Sequence, residues 1–116
     1  MTNQSYANVM ARLSSGSISV IFVAQRTGLD ADGYARAATM MGELAAQQHG
    51  YVAIDSVRGS DGLGITISYW TDEASAKAWR DHPEHSAIRD AGRDLWYSEY
   101  SLHVAKVTRS YDWKKA

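Results

Sequence analysis

Gly64–Tyr97 reads GITISYWTDEASAKAWRDHPEHSAIRDAGRDLWY. Its first seven residues are rich in β-branched and aromatic side chains, which predicts a strand. Thr71, Asp72 and Glu73 then start a helix, with acids at the positive end of its dipole. That helix is predicted to stop near Arg80. Proline has no N–H and fits best in a first turn, so Asp81-His82-Pro83 ends one helix and opens another. The second piece carries Ala87, Ile88, Ala91 and Leu95 on its apolar side. The stretch also holds three of the four tryptophans, two of the four histidines and the only proline. Much of any chemistry is expected here.

Just before this stretch, Gly59-Ser60-Asp61-Gly62 reads as a hairpin turn between a strand over Tyr51–Arg58 and one over Leu63–Trp70. The glycines of 59–64 are not followed by a lysine or a helix, so they are no phosphate cradle. Ile18–Arg26 is a strand apolar on both faces, which suits a central position. Asp30 or Asp32 caps a helix in which Tyr34, Ala37, Met41 and Leu44 recur at helical spacing, closed by His49-Gly50. A last strand is predicted from Ser98 to about Tyr111, with a β-bulge at Val104-Ala105 where the apolar face changes parity. The order β-α-β-β-α-β is the ferredoxin-like α+β arrangement, a four-stranded antiparallel sheet with both helices on one face. Central strands apolar on both sides need the other face covered. A second copy packed sheet to sheet does this, so a homodimer is expected.

The chain has 116 residues, 45% of them hydrophobic, which predicts one domain over 17–116. Residues 1–16 are expected to be an arm, flexible or docked on the dimer. Net charge is −1, from 12 basic and 13 acidic residues, and no basic stripe suggests nucleic-acid binding. There is no cysteine, which excludes disulfides and thiolate chemistry. No apolar run approaches the ~20 residues of a membrane span, and the N-terminus lacks the apolar core of a signal peptide; a cytoplasmic protein with no membrane partner is expected.

The candidate site residues each carry a bland alternative. Trp79, just before the helix break, offers a flat apolar face and one N–H donor for an aromatic ligand and its oxyanion; the alternative is ordinary core. His85 suits a general base near neutral pH; the alternative is a solvated surface histidine. Gln25 is a polar group closing the apolar Ile21, Val23 face. It points an amide into a cavity or simply tops the face. His82-Pro83-Glu84-His85 has metal-ligand residue types, but Pro83 disturbs the spacing and no motif supplies a third ligand, so no metal is expected.

These features resemble the antibiotic biosynthesis monooxygenase superfamily of dimeric α/β barrels, including its haem-degrading branch. The likeness is carried by Ile65–Trp70 (ITISYW), Trp79 nine residues later, His85 with Gly92 beyond, and Trp96-Tyr97 entering the last strand. The resemblance implies a ferredoxin-like protomer, a homodimer, and a cavity between helices and sheet. Its oxygenases use O2 without a metal or flavin of their own. The haem-degrading branch pairs an Asn on the first strand with a Trp and a His on the second helix. Here those positions fall on Gln25, Trp79 and Arg89, and arginine cannot ligate haem iron. In the anthrone-oxidising branch a tyrosine stands where His85 does.

The function expected is therefore a monooxygenase without cofactor, oxidising a small aromatic (phenolic or quinone-like) molecule with O2. Val23, Met41 and Trp79 would line the cavity, with Arg89 nearby. His85 would deprotonate the substrate, and Gln25 with the Trp79 indole would hold the oxyanion. One alternative is a non-catalytic dimeric barrel binding a small hydrophobic ligand. The other, a haem-binding or haem-degrading protein, is disfavoured by Arg89.

Overall fold

A computed structural model describes residues 13–116. Its elements are β1 (Ile18–Arg26), α1 (Ala31–Ala46), β2 (Tyr51–Arg58), β3 (Leu63–Trp70), α2 (Glu73–Arg80), α3 (Pro83–Ala91), a π-helical turn (Gly92–Trp96) and β4 (Tyr97–Lys106). The strands form one antiparallel sheet in the order β2-β3-β1-β4, the ferredoxin-like α+β arrangement. No helix among the described residues is long and apolar enough to cross a membrane. Residues 1–12 of the expected arm lie outside the described residues. The end of that segment is docked: Leu13 packs against Val52 and Ala53, and Gly16 N donates to the Val107 carbonyl at 2.8 Å.

β1 pairs with β3 without a slip from Ile18↔Trp70 to Gln25↔Leu63. Side chains therefore alternate strictly along it. Ile18 belongs to a buried cluster with Ala45 of α1, Trp70 of β3, and Ala76 and Trp79 of α2. Ile18, Val20, Phe22 and Ala24 thus face the helices, and Ser19, Ile21, Val23 and Gln25 face away. Trp70 is completely buried, and its indole N–H is satisfied by Ser68 Oγ at 2.9 Å. An indole withdraws ~200 Å² from water, an upper-bound contribution of ~5 kcal/mol.

The helix starts follow the sequence. Asp72 Oδ1 accepts from Ser75 N at 2.7 Å, capping α2, and Pro83 occupies the first turn of α3. At α1 the cap is Asp30, held at φ 50°, ψ 51°, a left-handed conformation that aspartate tolerates better than most side chains. Gly50 has φ +82°, and a Cβ there would collide with the Ser75 side chain, so this residue must be glycine on both counts.

β4 departs from expectation. It ends at Lys106, and its register slips opposite Gln25 and Arg26, at the start of the strand. Val104 lies opposite Val20 on the helix side, while Ala105 opposite Ser19 belongs to the outer row. Apolar residues on both faces of an edge strand imitated a change of parity.

Candidate functional site

The break between α2 and α3 folds the chain back on itself. His82 N donates to the Trp79 carbonyl at 3.1 Å, and His82 Nδ1 caps α3 by accepting from Glu84 N at 3.2 Å. This turn carries His85 over Trp79. Their rings stack with centroids 4.4 Å apart and planes 15° apart. Trp79 also stacks against Trp70, at 6.1 Å and 27°. Trp79 is therefore packed against both rings, and only 7% of its surface is exposed. The expectation of a free indole face for a flat ligand is corrected by this packing. What remains available is the indole edge, whose N–H has no hydrogen-bond partner among the described residues.

The same geometry fixes the state of His85. Its Nδ1 lies 2.9 Å from the Trp79 carbonyl oxygen. A carbonyl only accepts, so Nδ1 carries the proton and Nε2 presents a lone pair when the ring is neutral. Burial pushes the His85 pKa below its usual 6.5; the Trp79 hydrogen bond opposes this, and the charges of Arg89 and His82 assist it. The ring is thus a neutral acceptor at pH 7. Arg89, one turn along α3, donates from Nη1 to the Arg80 carbonyl at 3.4 Å and from Nη2 to Ser86 Oγ at 3.2 Å.

Of the other residues expected at the site, Met41 packs against the cluster that contains Trp79. Val23 does not. It lies on the face of the sheet turned away from the helices, so a cavity lined jointly by Val23, Met41 and Trp79 is ruled out by the strand's alternation. Gln25 shares that outer face and is committed elsewhere: Nε2 donates to the Asp61 carbonyl at 2.8 Å, holding the β2–β3 hairpin. It also stands seven residues along β1 from Ile18, ~23 Å at strand rise. Gln25 and Trp79 are not brought together.

Two spaces lie on the helix side of the sheet, and Trp79 lines the first of them. One is a recess of about 250 Å³ between the end of α1 and the start of α2, lined by Gln48, His49, Asp72, Ala74, Ser75, Ala78 and Trp79. The other is an open apolar trough on the helix side of β1 and β4. Its floor is Val20 opposite Val104 and Phe22 opposite Leu102. Leu102 and Val104 are 50% and 55% exposed, and no residue of α3 is buried, so this half of the sheet has no roof.

Sequence reasoning missed a second cluster, at the opposite end of the sheet. Arg26, Arg58, Tyr34, Trp96 and Tyr97 gather around the start of α1 and the π-helical turn. Strand parity could have found part of it, since Arg26 ends β1 and Arg58 ends β2 on the same face of the sheet. The π-helical turn itself has no sequence signal.

The profile described as antibiotic biosynthesis monooxygenase matches residues 20–91. The uncharacterized protein YqjZ of Bacillus subtilis is 44% identical over 90 residues, 78% of this chain and 78% of its own length. Jasmonate monooxygenase ABM of Pyricularia oryzae is 37% identical over 46 residues, which is 40% of this chain and 21% of that protein. Among solved structures, SnoaB, a cofactor-independent oxygenase from Streptomyces nogalater, superposes with a TM-score of 0.65 at 21% identity, covering 79% of this chain and 95% of its own. Rv0793 from Mycobacterium tuberculosis gives a TM-score of 0.68 at 12% identity, covering 77% and 92%. At these identities the structures share the fold with this chain.

Proposed function

Because the chain belongs to the antibiotic biosynthesis monooxygenase family, we propose that it is a cofactor-independent monooxygenase acting on a small electron-rich aromatic molecule with O2. Family membership gives the reaction class its prior, and fold alone would not. The observation that carries the reading is the state of His85: neutral, with Nδ1–H held by the Trp79 carbonyl and Nε2 left as a base. The substrate lies in the apolar trough over Val20, Phe22, Leu102 and Val104, with its acidic group at the His85 edge.

For an anthrone-type substrate, His85 Nε2 takes a proton and leaves an enolate. The enolate passes an electron to O2, and the two radicals combine at the carbon that lost the proton. Loss of water from that peroxide gives a new carbonyl. One oxygen atom ends in the carbonyl and the other leaves as water with the two hydrogens of the original carbon. The arithmetic constrains the substrate. An ordinary phenol, with a pKa near ~10, transfers its proton to an unperturbed imidazole near ~6.5 only at a cost of ~5 kcal/mol, and the cost is greater for His85, whose pKa lies lower. One well-placed oxyanion donor supplies ~3–4 kcal/mol, so the Trp79 N–H alone falls short. The substrate is therefore a phenol or enol already acidified by conjugation to a carbonyl, as in quinone precursors. Arg89 serves this scheme by keeping His85 neutral and pinning the end of α2, and Val23 and Gln25 take no part in it.

The outer face of the sheet presents Ile21, Val23, Ile65 and Ile67, and we assign it to a second copy of the chain, giving a homodimer. Sedimentation at micromolar concentration reads this directly. Oxygen uptake with hydroxyanthrones and hydroquinones tests the activity, with His85→Ala and Trp79→Phe as controls. A second reading, a binding protein for a small hydrophobic molecule, is favoured by the recess beside Trp79. A ligand retained in native mass spectrometry without oxygen consumption would select it.

A further inference from the structure

We propose that Arg26 and Tyr34, with Arg58 held against the Tyr34 hydroxyl behind them, form a binding site for the carboxylate of a small organic acid, at the end of the sheet remote from Trp79. The proposal is independent of the oxygenase reading. The Arg26 guanidinium lies over the Tyr34 ring, 4.6 Å from its centroid. That of Arg58 lies 5.4 Å from the same centroid, and its Nε donates to the Tyr34 hydroxyl at 2.8 Å. Two cations therefore converge on one phenol.

Nothing described neutralises them. The ion pairs among the described residues are Lys77–Glu73 and Arg80–Asp81, so neither arginine has a carboxylate of a described residue within 4 Å. Asp30, the acid nearest in sequence to Arg26, is already occupied: it accepts from Gly33 N at 3.3 Å and from the Trp96 indole at 3.2 Å. Tyr97 offers no charge either, because burial and the adjacent Tyr34 raise its pKa far above the usual phenol range, against the pull of Arg58 and Arg26. In addition, Arg26 Nε is enclosed with no hydrogen-bond partner. A buried guanidinium N–H without an acceptor is a costly arrangement that calls for an explanation.

Next to it is a cavity of about 30 Å³ lined by Arg26, Gly28, Leu29, Ala31, Tyr34 and Trp96. That is room for about two waters, the bulk of a carboxylate group. Its walls are fixed. Thr27 N donates to the Trp96 carbonyl and Thr27 Oγ1 to the Leu95 carbonyl, both at 2.8 Å, tying the loop before α1 to the π-helical turn. A planar carboxylate matches the guanidinium fork in shape as well as charge. Leu29, 58% exposed at the cavity's edge, would meet the apolar remainder of the acid. Arg26 stands four residues along β1 beyond Phe22, ~13 Å of strand past the trough over Val20 and Phe22, so the two ligand sites are separate.

Thermal unfolding in acetate and in inorganic phosphate, at constant ionic strength balanced with chloride, tests the site. Acetate is expected to raise the melting temperature of the wild type saturably. Arg26→Gln is expected to unfold no lower than wild type without acetate, and to weaken acetate binding about tenfold or more; Arg26→Lys, which keeps charge but loses the fork, falls between. The Arg26 Nε–H resonance of the wild type should move on acetate addition, a readout that survives if Arg26→Gln does not fold. An unmoved resonance, equal acetate shifts in wild type and Arg26→Gln, or stabilisation by phosphate but not acetate would overturn the proposal.

Discussion

The imidazole of His85 lies parallel to the indole of Trp79 at 4.4 Å, while its Nδ1 reaches back 2.9 Å to the same residue's carbonyl. One residue thus fixes both the orientation and the tautomer of the other. The break at Asp81-His82 makes this possible. On a continuous helix a spacing of six residues leaves two side chains on different faces. Here a restarted helix brings them together.

His85 ties stability to pH in a definite direction. Its folded pKa lies below the usual 6.5, so the unfolded chain binds more protons from about 6.5 down to the folded value. Stability is expected to fall as pH drops through that window and to be flat above it. His85→Asn keeps a donor for the Trp79 carbonyl and cannot titrate, so it should remove the slope. Asp72 and Asp81, whose pKa values are lowered below 3.8 by their hydrogen bonds, act only at more acidic pH. Urea unfolding across pH 5–8 compares the two proteins.

Trp79 is a packing residue as much as a site residue. Trp79→Ala is expected to lose ~3–5 kcal/mol, while Trp79→Phe loses less and keeps a ring for His85 to stack on. In Trp79→Phe the thinner packing lets water nearer the imidazole, so the His85 pKa should rise toward 6.5. NMR titration of the ring protons measures it.

Asp30 joins α1 to the π-helical turn with its two carboxylate oxygens. Asp30→Ala should lose ~1–2 kcal/mol, from the lost cap and the orphaned Trp96 N–H. Chemical denaturation gives the value. Gly33→Ala should act through the same contact, since a Cβ at Gly33 would collide with the Asp30 side chain.

Gln25 separates structure from chemistry. Gln25→Ala breaks the bond to the Asp61 carbonyl and should lose ~1 kcal/mol of stability. Oxygen uptake by the folded variant should equal that of the wild type. A loss of turnover would place Gln25 back at the reacting centre.

The fold was legible because its signals are local. Asp72 before Glu73, Pro83 in a first turn, Gly62 at φ +89° in the hairpin and the parity of β1 each act over a few residues. The site was legible only in part. Trp79 and His85 could be named from residue type, but their contact depends on how α3 folds back, which no spacing rule encodes. Val23 and Gln25 were placed with them because the register that assigns each side of β1 is set by β3, forty residues later. The Arg26–Tyr34–Arg58 cluster joins three elements and leaves no motif.

The most direct test is oxygen consumption with a hydroxyanthrone as a function of pH, for wild type and His85→Ala. The wild-type rate should rise through a pKa below 6.5 and stay level through neutral pH, and His85→Ala should lose ~100-fold or more with no inflection in that range. Equal rates and equal pH profiles in the two proteins would contradict the assignment of His85 as the base.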